Sequence, residues 1–193
     1  MLIGVSGKLG SGKNTAADAI KKEWPEFELK SFAEKLKFIT HYLTGCSLED
    51  CYSQEGKNKY LNSWDMTIGQ MQQKIGTEAM RVGLHPETWV LGLFANWNSD
   101  KNWIITDVRF KNEANAIKNR GGYLIRIEGD PAGIRTNSKR DLSHPSETDL
   151  DDWVYWDGIY NNTGSLEDLK NSMVNWVWDF KEIDEIIERA MYD

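Results

Sequence analysis

A glycine-rich stretch close to the N-terminus has the residue types and the spacing of a phosphate-binding loop. Residues 7–13 fit the pattern G-x-x-x-x-G-K, after an apolar run at 2–5 and before a helical stripe that begins at Ala16. Glycines let the backbone curl so that successive N–H groups converge on phosphate oxygens, and the positive end of the following helix adds to the attraction. Lys13 then reaches the β- and γ-phosphates. The stretch therefore predicts a site for nucleotide phosphates.

The residue after the lysine departs from the usual pattern. Asn14 occupies the position of the common Ser or Thr, and a hydroxyl follows one residue later at Thr15. Because an amide is a weak magnesium ligand, we expect the metal to be held through water or by another carboxylate. Thr15 is placed to hydrogen-bond the α-phosphate. This G-x-G-K-x-T arrangement is similar to that of nucleoside monophosphate kinases rather than of GTPases or motor ATPases.

Two polar residues at the end of another apolar run are further candidates. Asp107 closes the run 103–107, which is the position of a carboxylate that holds magnesium or its water; the alternative is a carboxylate that caps the next helix. Arg109 follows two residues later. Its planar guanidinium suits bidentate phosphate binding, and a plain salt bridge is the competing interpretation.

These residues require elements that hold them at one edge of a sheet. Period-2 and apolar runs predict five strands, and helical spacing predicts the helices between them. The predicted strands are 2–5, 27–32, 103–107, 123–127 and 155–162. The predicted helices are 15–23, one from 33, one from 67 with Ala79 and Val82 on its buried stripe, one from 86, 112–120, one from 165, and a last helix with Ile183, Ile186, Ile187 and Ala190 facing inward. This alternation predicts an α/β, three-layer fold with a five-stranded parallel sheet, in which ligands bind beyond the carboxyl ends of the strands.

The length of the chain predicts one domain over 1–193. Within it, the polar segment 45–65 reads as an insertion or flap, and the irregular segment 129–147 reads as a lid. Arg135 and Arg140 in that segment either close over bound phosphates or remain solvated loop cations.

Composition narrows the class of protein. A formal net charge of -7 argues against a protein that coats nucleic acid, so a polyanionic ligand must meet a local cluster of cations. For this reason we expect no nucleic-acid polymer among the partners. We also expect no membrane, because no run approaches the ~18 consecutive apolar residues of a membrane span. Cys46 and Cys51 are too few for a disulfide framework, and we expect free thiols and a cytoplasmic location.

Five motifs in chain order resemble one family. Besides the loop, 32–37 resembles F-A-D-x-L-K, 72–81 resembles a L-Q-x-x-G-T-E-x-x-R helix, 106–114 resembles T-D-x-R-F-x-N-E-A, and 144–147 resembles H-x-S-E. Together they resemble the deoxynucleoside monophosphate (dNMP) kinases of tailed bacteriophages and their bacterial relatives. The resemblance runs in order from residue 1 to about 170.

The resemblance implies a kinase of the P-loop NTPase fold that moves the γ-phosphoryl group of ATP onto a deoxynucleoside 5′-monophosphate with Mg²⁺. It implies an ATP site made of Gly10, Ser11, Gly12, Lys13, Asn14 and Thr15, and it makes Lys13, Asp107 and Arg109 catalytic, with Asp107 on the metal. It implies an acceptor site made of Lys37, Arg81, Trp89, Arg109 and Glu147. Host cytoplasm is the implied location for a phage protein, and a homodimer is possible because dimers occur among related enzymes.

Several roles have open alternatives at this stage. Trp89 either walls the base or belongs to the core, and Glu147 either contacts sugar or metal or caps a helix. The turn 161–164 resembles the adenine-side loop of related kinases. Asn14 stands where the family commonly has aspartate, so a scheme that uses that aspartate does not transfer. The segment 45–65 has no counterpart that we can place, and the choice of base is therefore open.

Two other functions compete with dNMP phosphorylation. One is a P-loop kinase for another small phosphorylated acceptor, and an acceptor panel distinguishes it. The other is a nucleotide-binding switch without catalysis; against it, the chain has no N-K-x-D guanine signature, since residues 58–61 read N-K-Y-L.

Overall fold

The computed structural model describes residues 1–135 and 141–192 of the chain. The strands are β1 (Leu2–Ser6), β2 (Glu28–Lys30), β3 (Tyr60–Leu61), β4 (Met66–Thr67), β5 (Trp103–Val108), β6 (Tyr123–Glu128) and β7 (Gly158–Asn161). The helices are α1 (Lys13–Glu23), α2 (Glu34–Thr44), α3 (Leu48–Tyr52), α4 (Gln54–Lys57), α5 (Ile68–Gln73), α6 (Thr88–Phe94), α7 (Lys111–Lys118), α8 (Pro145–Thr148) and α9 (Leu166–Tyr192).

The main sheet has five strands in the order β2-β5-β1-β6-β7. Every neighbouring pair is parallel, with Ile3 of β1 between Ile104 and Tyr123. Parallel neighbours need helical crossovers, which the helices between the strands supply. The predicted five-stranded parallel α/β sheet is thus confirmed, although β2 and β7 are shorter than the runs that predicted them.

Helices cover both faces of the sheet and enclose two apolar cores. The central strands β1 and β5 are mostly buried on both faces, as expected inside a parallel sheet covered on both sides, whereas the edge strands β2 and β7 are partly exposed. One core joins α1 and α9 to one face through residues such as Ile20, Ile104 and Met173. The other joins α2, α5, α6 and α7 to the opposite face through residues such as Leu36, Met71 and Ile105. The three-layer arrangement brings the carboxyl ends of β1, β2 and β5 to one edge.

The helix that begins at Ile68 changes its period partway along. α5 continues as a π-helix over Lys74–Val82. Because π-helical bonding runs from residue i to i+5, residues beyond Lys74 leave the face that a period of 3.6 predicts. Ala79 and Val82 are exposed, so the prediction that they belong to the buried stripe is wrong.

The two predicted C-terminal helices are one continuous helix, α9. No glycine or proline interrupts residues 166–192, so nothing stops the helix where the sheet ends. Its first half is buried through Leu169, Met173 and Val177. Its last turns extend past the core, and Ile183, Ile186 and Ile187 are 44%, 57% and 51% exposed. The prediction that these residues face inward is therefore wrong.

The segment 45–65 contains regular structure. α3 and α4 begin with Ser47 and Ser53 as N-caps, and β3 pairs with β4 in an antiparallel hairpin.

Among the described residues, no helix is both long and apolar enough to cross a membrane.

Candidate active site

The glycine-rich loop connects the carboxyl end of β1 to the start of α1. Gly10 and Gly12 have φ angles of +79° and +98°, which side chains with a Cβ rarely adopt. Gly12 precedes α1, and no side chain of the described residues caps this helix. The start of α1 therefore reaches the cleft without a side-chain cap, which is the arrangement that suits an anion at a helix N-terminus.

Two neighbours hold the loop in this shape. Asn162 donates from Nδ2 to the carbonyl oxygen of Ser11 at 2.9 Å. The Ser11 side chain is buried, and its Oγ has no hydrogen-bond partner among the described residues. A Cβ on Gly7 would lie 2.3 Å from the carbonyl oxygen of Ile127, so only glycine fits between the loop and β6.

Lys13 lies at the mouth of the loop. Its Nζ donates to the carbonyl oxygens of Gly7 and Lys8, each at 2.7 Å. Phosphate oxygens carry full charge, so a bound nucleotide competes strongly for the same ammonium group. Asn14 and Thr15 follow on α1 and line the same cleft.

Asp107 joins β5 to the turn that leads from β2 into α2. Its Oδ1 accepts from the backbone N of Phe32 at 2.8 Å, and its Oδ2 accepts from Ser31 Oγ at 2.7 Å and from the N of Ala33 at 3.0 Å. The alternative of a carboxylate that caps the next helix falls to another residue, because Glu113 accepts from the backbone N of Phe110, the N-cap of α7, at 3.1 Å. Asp107 orders the turn before α2 and lines the cleft at the same time.

Arg109 is both salt-bridged and exposed to the cleft. Its guanidinium forms an ion pair with Glu147 and donates to the carbonyl oxygen of Ser146 at 2.9 Å. Glu147 is buried, and its Oε2 accepts from the backbone N of Leu9 at 3.2 Å. Glu147 therefore links Arg109 to the phosphate-binding loop and is not among the residues that line the cleft.

Arg81 and Glu113 form a buried ion pair in the wall of the cleft. The guanidinium of Arg81 lies 3.9 Å from the centre of the Phe110 ring, and its Nε has no hydrogen-bond partner among the described residues. Burial raises the pKa of Glu113 to about 7, against the opposing effect of Arg81 and of the N–H groups of Arg109 and Phe110. Glu113 accepts from the backbone N of Arg109 at 2.8 Å, so one carboxylate holds both arginines.

Lys37 of α2 points at the same edge of the sheet. Its Nζ lies 3.4 Å from Ser31 Oγ and 4.3 Å from the centre of the Tyr52 ring. Burial lowers the pKa of Lys37, and the Asp107 carboxylate opposes this shift. Lys37 is thus a partly desolvated cation, which binds an anion more strongly than a fully hydrated one does.

Trp89 takes part in the core and in the cleft wall. It is 5% exposed, and its Nε1 donates to the carbonyl oxygen of Gly76 at 2.9 Å. The side chain also lines the cleft. Trp89 therefore belongs to the core and also reaches the cleft wall, and its role beside the base stays a prediction.

One cleft of about 590 Å³ collects these residues. Of the predicted site residues, only Glu147 is outside its lining. Among the polar side chains that also line it and that sequence reasoning did not assign to the site are Tyr52, Gln54, Lys57, Gln72, Gln73 and Thr77. Three of them come from the segment 45–65, and the serine N-caps there were the available sign that this segment is folded.

The start of the predicted lid contacts the phosphate-binding loop. Asp130 accepts from the backbone N–H groups of Ile134 and Arg135 at 2.9 Å and 3.0 Å, and Arg135 donates from Nε to the carbonyl oxygen of Leu9 at 2.8 Å. Arg140, the other predicted lid arginine, lies outside the described residues.

A metal site built from protein groups alone is not found in the part of the chain that the structure describes. No group of three or more His, Cys, Asp or Glu side chains there could hold an ion. Magnesium in phosphoryl-transfer sites usually takes one or two carboxylates together with water and substrate phosphates. Asp107 beside the loop fits that pattern, and its three protein donors favour contact with the metal through water.

Comparison with known proteins identifies one relative over nearly the full chain. A protein of Acanthamoeba polyphaga mimivirus named "Putative deoxynucleotide monophosphate kinase" is 36% identical in an alignment of 193 residues, including gaps, that spans 92% of this chain and 96% of that protein. No protein-family model matches the chain.

Two solved structures align with this chain at low sequence identity. The shikimate kinase of Aquifex aeolicus aligns with a TM-score of 0.49 and 13% identity, over 90% of this chain and 94% of that one. A sugar kinase of a Janibacter species aligns with a TM-score of 0.43 and 14% identity, over 91% and 93%.

Proposed function

This chain belongs to the deoxynucleotide monophosphate kinase family, and on that premise we propose that it transfers the γ-phosphoryl group of ATP to a deoxynucleoside 5′-monophosphate. The products are ADP and the deoxynucleoside diphosphate. The observation that carries the proposal is the gathering of an anion-binding loop and four further cations in one cleft of a chain whose net charge is -7: Lys37, Lys57, Arg81 and Arg109.

ATP occupies the loop end of the cleft in this proposal. The backbone of Gly10, Ser11 and Gly12 and the first turn of α1 bind the phosphates, and Thr15 binds the α-phosphate. Lys13 leaves the carbonyl oxygens of Gly7 and Lys8 and binds the β- and γ-phosphates. The residues involved already line the cleft around one turn of backbone, so little rearrangement is needed.

The acceptor occupies the end of the cleft between α2, the π-helix and α6. Lys37 and Arg81 bind its 5′-phosphate, and Arg109 bridges this phosphate and the transferred group. Glu147 and Glu113 act as positioning residues, because each holds an arginine and neither needs to touch the substrate. Trp89 forms part of the wall against the acceptor.

Magnesium, when bound, neutralises charge on the phosphates of ATP. Asp107 would hold it, through water, at the carboxyl end of β5. Asn14 adds a polar group but no charge, so Asp107 is the acidic side chain of the lining that fits this role beside the loop.

The protein accelerates transfer by positioning and by electrostatics. Lys13 and Arg109 are held in position before the reaction begins, and they stabilise the charge that develops on the transferred group in the transition state. Water must be excluded, since it would accept the phosphoryl group in place of the substrate. We assign this task to the segment 129–147, whose first residues already contact the loop through Arg135.

We further propose a homodimer and a cytoplasmic location. The exposed apolar side chains of the last turns of α9 support pairing of two chains. The free thiols of Cys46 and Cys51, whose Sγ atoms are 3.4 Å apart without a bond, are compatible with a reducing compartment.

A coupled assay of ADP release tests the function. The purified chain is incubated with ATP, Mg²⁺ and each of the four dNMPs, and separately with other small phosphorylated acceptors. Turnover that depends on a dNMP is the expected result. Turnover with another acceptor alone would replace the proposed substrate, and nucleotide binding without turnover on any acceptor would favour a switch.

A further inference from the structure

Two adjacent glutamines line the acceptor part of the cleft with their amide groups held in one orientation. Gln72 and Gln73 lie at the end of α5, and both line the cleft. Nε2 of Gln72 donates to the carbonyl oxygen of Cys51 at 3.0 Å, and Nε2 of Gln73 donates to the carbonyl oxygen of Asp141 at 3.1 Å.

The partners of these amides decide which atom a ligand meets. A backbone carbonyl oxygen only accepts, so each glutamine must turn its NH2 group toward the wall. No hydrogen bond among the described residues engages Oε1 of Gln72 or Gln73. Each amide therefore leaves an accessible acceptor oxygen for a ligand in the cleft.

The position of the glutamines relative to the cations indicates which part of the acceptor they meet. Gln73, Thr77 and Arg81 recur at four-residue spacing along one helix, and all three line the cleft. Gln73 and Arg81 are eight residues apart along this helix, which places them about two turns from each other. With the phosphate of the acceptor at Arg81, its base lies toward the glutamines.

We propose that Gln72 and Gln73 read the base of the acceptor by accepting hydrogen bonds from it, which favours adenine, cytosine and guanine over thymine. This inference rests on the proposed function. The three favoured bases carry an exocyclic amino group that donates two hydrogen bonds. Thymine presents one N–H between two carbonyl oxygens, and those oxygens lie against the acceptor oxygens of the glutamines.

A purely structural role makes a different prediction. If the glutamines only fasten α5 to Cys51 and Asp141, their loss weakens the fold or raises the KM of every acceptor alike. A base-reading role changes the ratio between bases. The experiment therefore measures kcat/KM for dAMP, dCMP, dGMP and dTMP.

The variants are Gln73→Met, Gln72→Met and Gln73→Glu, with Gln70→Met as the control. Gln70 lies on the same helix, caps it together with Thr67, and does not line the cleft. Methionine removes the acceptor oxygen at similar length. Glutamate keeps acceptor oxygens and loses the donor to Asp141, so it separates base reading from the bond to the wall.

We expect the wild type to prefer its best amino-bearing acceptor over dTMP by at least about tenfold, the scale of one lost hydrogen bond. Gln72→Met and Gln73→Met should each reduce this ratio severalfold with little change in the KM of ATP, whereas Gln73→Glu and Gln70→Met should keep it.

An equal or higher kcat/KM for dTMP in the wild type, or an unchanged ratio in both methionine variants, would overturn the inference alone. Absence of turnover with all four dNMPs would overturn the proposed function and the inference together. Thermal melting shows whether the methionine variants fold. If one does not, Gln73→Asn replaces it, because its shorter side chain withdraws the acceptor oxygen from the cleft. Loss of the preference over dTMP in folded Gln73→Asn would support the inference, and an unchanged preference would overturn it.

Discussion

The basic side chains around the cleft differ in what already holds them, and this difference sets how each responds to substitution. Lys13 is held by backbone carbonyls, Arg81 and Arg109 by buried carboxylates, and Lys37 by a hydroxyl and an aromatic ring. Removing Lys13 leaves neutral carbonyl groups, and Asp107 beside Lys37 keeps three hydrogen-bond donors of its own, whereas removing Glu113 leaves the buried positive charge of Arg81. The first kind of change should affect turnover, and the second should affect folding.

Lys13→Ala should abolish most turnover and leave the protein folded. The variant loses one cation that stabilises the transferred group, a loss of about a hundredfold or more in kcat. Lys8→Ala is the control, because the side chain of Lys8 pairs on the surface with Asp151 at 2.8 Å and only its backbone contacts Lys13. The assay is ADP release together with thermal melting. Normal turnover of the Lys13 variant would remove the loop from the mechanism.

The KM of the acceptor should rise at alkaline pH because of Lys37. Burial lowers the pKa of this side chain, so its charge is lost at a lower pH than for an ordinary lysine. The bound phosphate then loses a cation. Lys37→Arg should give a flatter profile, since a guanidinium remains charged throughout. Initial rates between about pH 7 and 9.5 give the two profiles; the range follows from the ordinary lysine pKa near 10.4. Parallel profiles would exclude Lys37 from acceptor binding.

Glu113→Ala should destabilise the fold strongly. It leaves the buried guanidinium of Arg81 without its carboxylate, which costs about 3–5 kcal/mol of the free energy of unfolding. Asp152→Ala is the matched control, because Asp152 pairs with Lys111 in solvent and such a pair contributes at most about 1 kcal/mol. Urea unfolding measures both. A loss below the control value would mean that the Arg81–Glu113 pair does not stabilise the fold.

Among the elements, the segment 45–65 differs most from what the sequence predicts, because the predicted insertion or flap contains two short helices and a strand. It packs α3 and α4 beside α2 and α5 and places Tyr52, Gln54 and Lys57 on the cleft. An element with few apolar residues holds this shape through close backbone contact. Its role in acceptor binding can therefore be tested at one glycine.

Gly56→Ala should displace α3 and α4 and raise the KM of the acceptor. An added Cβ would lie 2.2 Å from Cα of Asp50, so the backbone must move. Overpacking of this kind costs about 1–3 kcal/mol. The KM of ATP should stay unchanged, because the loop end of the cleft is built from other elements.

Gly92→Ala is the control for this prediction. Its Cβ would meet only the end of the Lys35 side chain at 3.7 Å, and alanine in a helix is favoured over glycine by up to about 1 kcal/mol. Kinetics with variable acceptor and urea unfolding compare the two variants. An unchanged acceptor KM in Gly56→Ala would separate the segment from the acceptor site.

Over the whole molecule, the long helix α9 has two different halves. The N-terminal half completes the core against α1, and the last turns carry Ile183, Ile186 and Ile187 on an exposed apolar face. From Leu169, which lines the cleft, to Ile183 the helix advances about 21 Å. A contact on the far half therefore need not touch the nucleotides.

The proposed dimer should have twice the chain mass of 22.2 kDa in light scattering. Ile183→Glu together with Ile187→Glu should convert it to the single-chain mass. Burial of two carboxylates at the interface costs more free energy than the apolar contacts between the chains contribute. ADP release per chain should be unchanged, given the distance from the cleft. A single-chain mass for the wild type at assay concentration would exclude this dimer.

The sequence alone determined the parts of the protein that depend on local pattern. Strand and helix periods predicted the five-stranded parallel sheet, because burial on both faces forces apolar runs and helical crossovers. The spacing of glycines and lysine predicted the loop between β1 and α1. Asp107 and Arg109 followed from their place at the end of a strand, where a parallel sheet must collect its ligands.

Tertiary structure alone decided which groups share a partner. Sequence spacing gives no sign that Glu113 holds Arg81, that Glu147 ties Arg109 to Leu9, or that Gln72 and Gln73 turn their amides toward Cys51 and Asp141. Such contacts join residues far apart in the chain, and they depend on how layers pack. The same holds for α9, where the end of the sheet, and not the helical period, determines which isoleucines are buried.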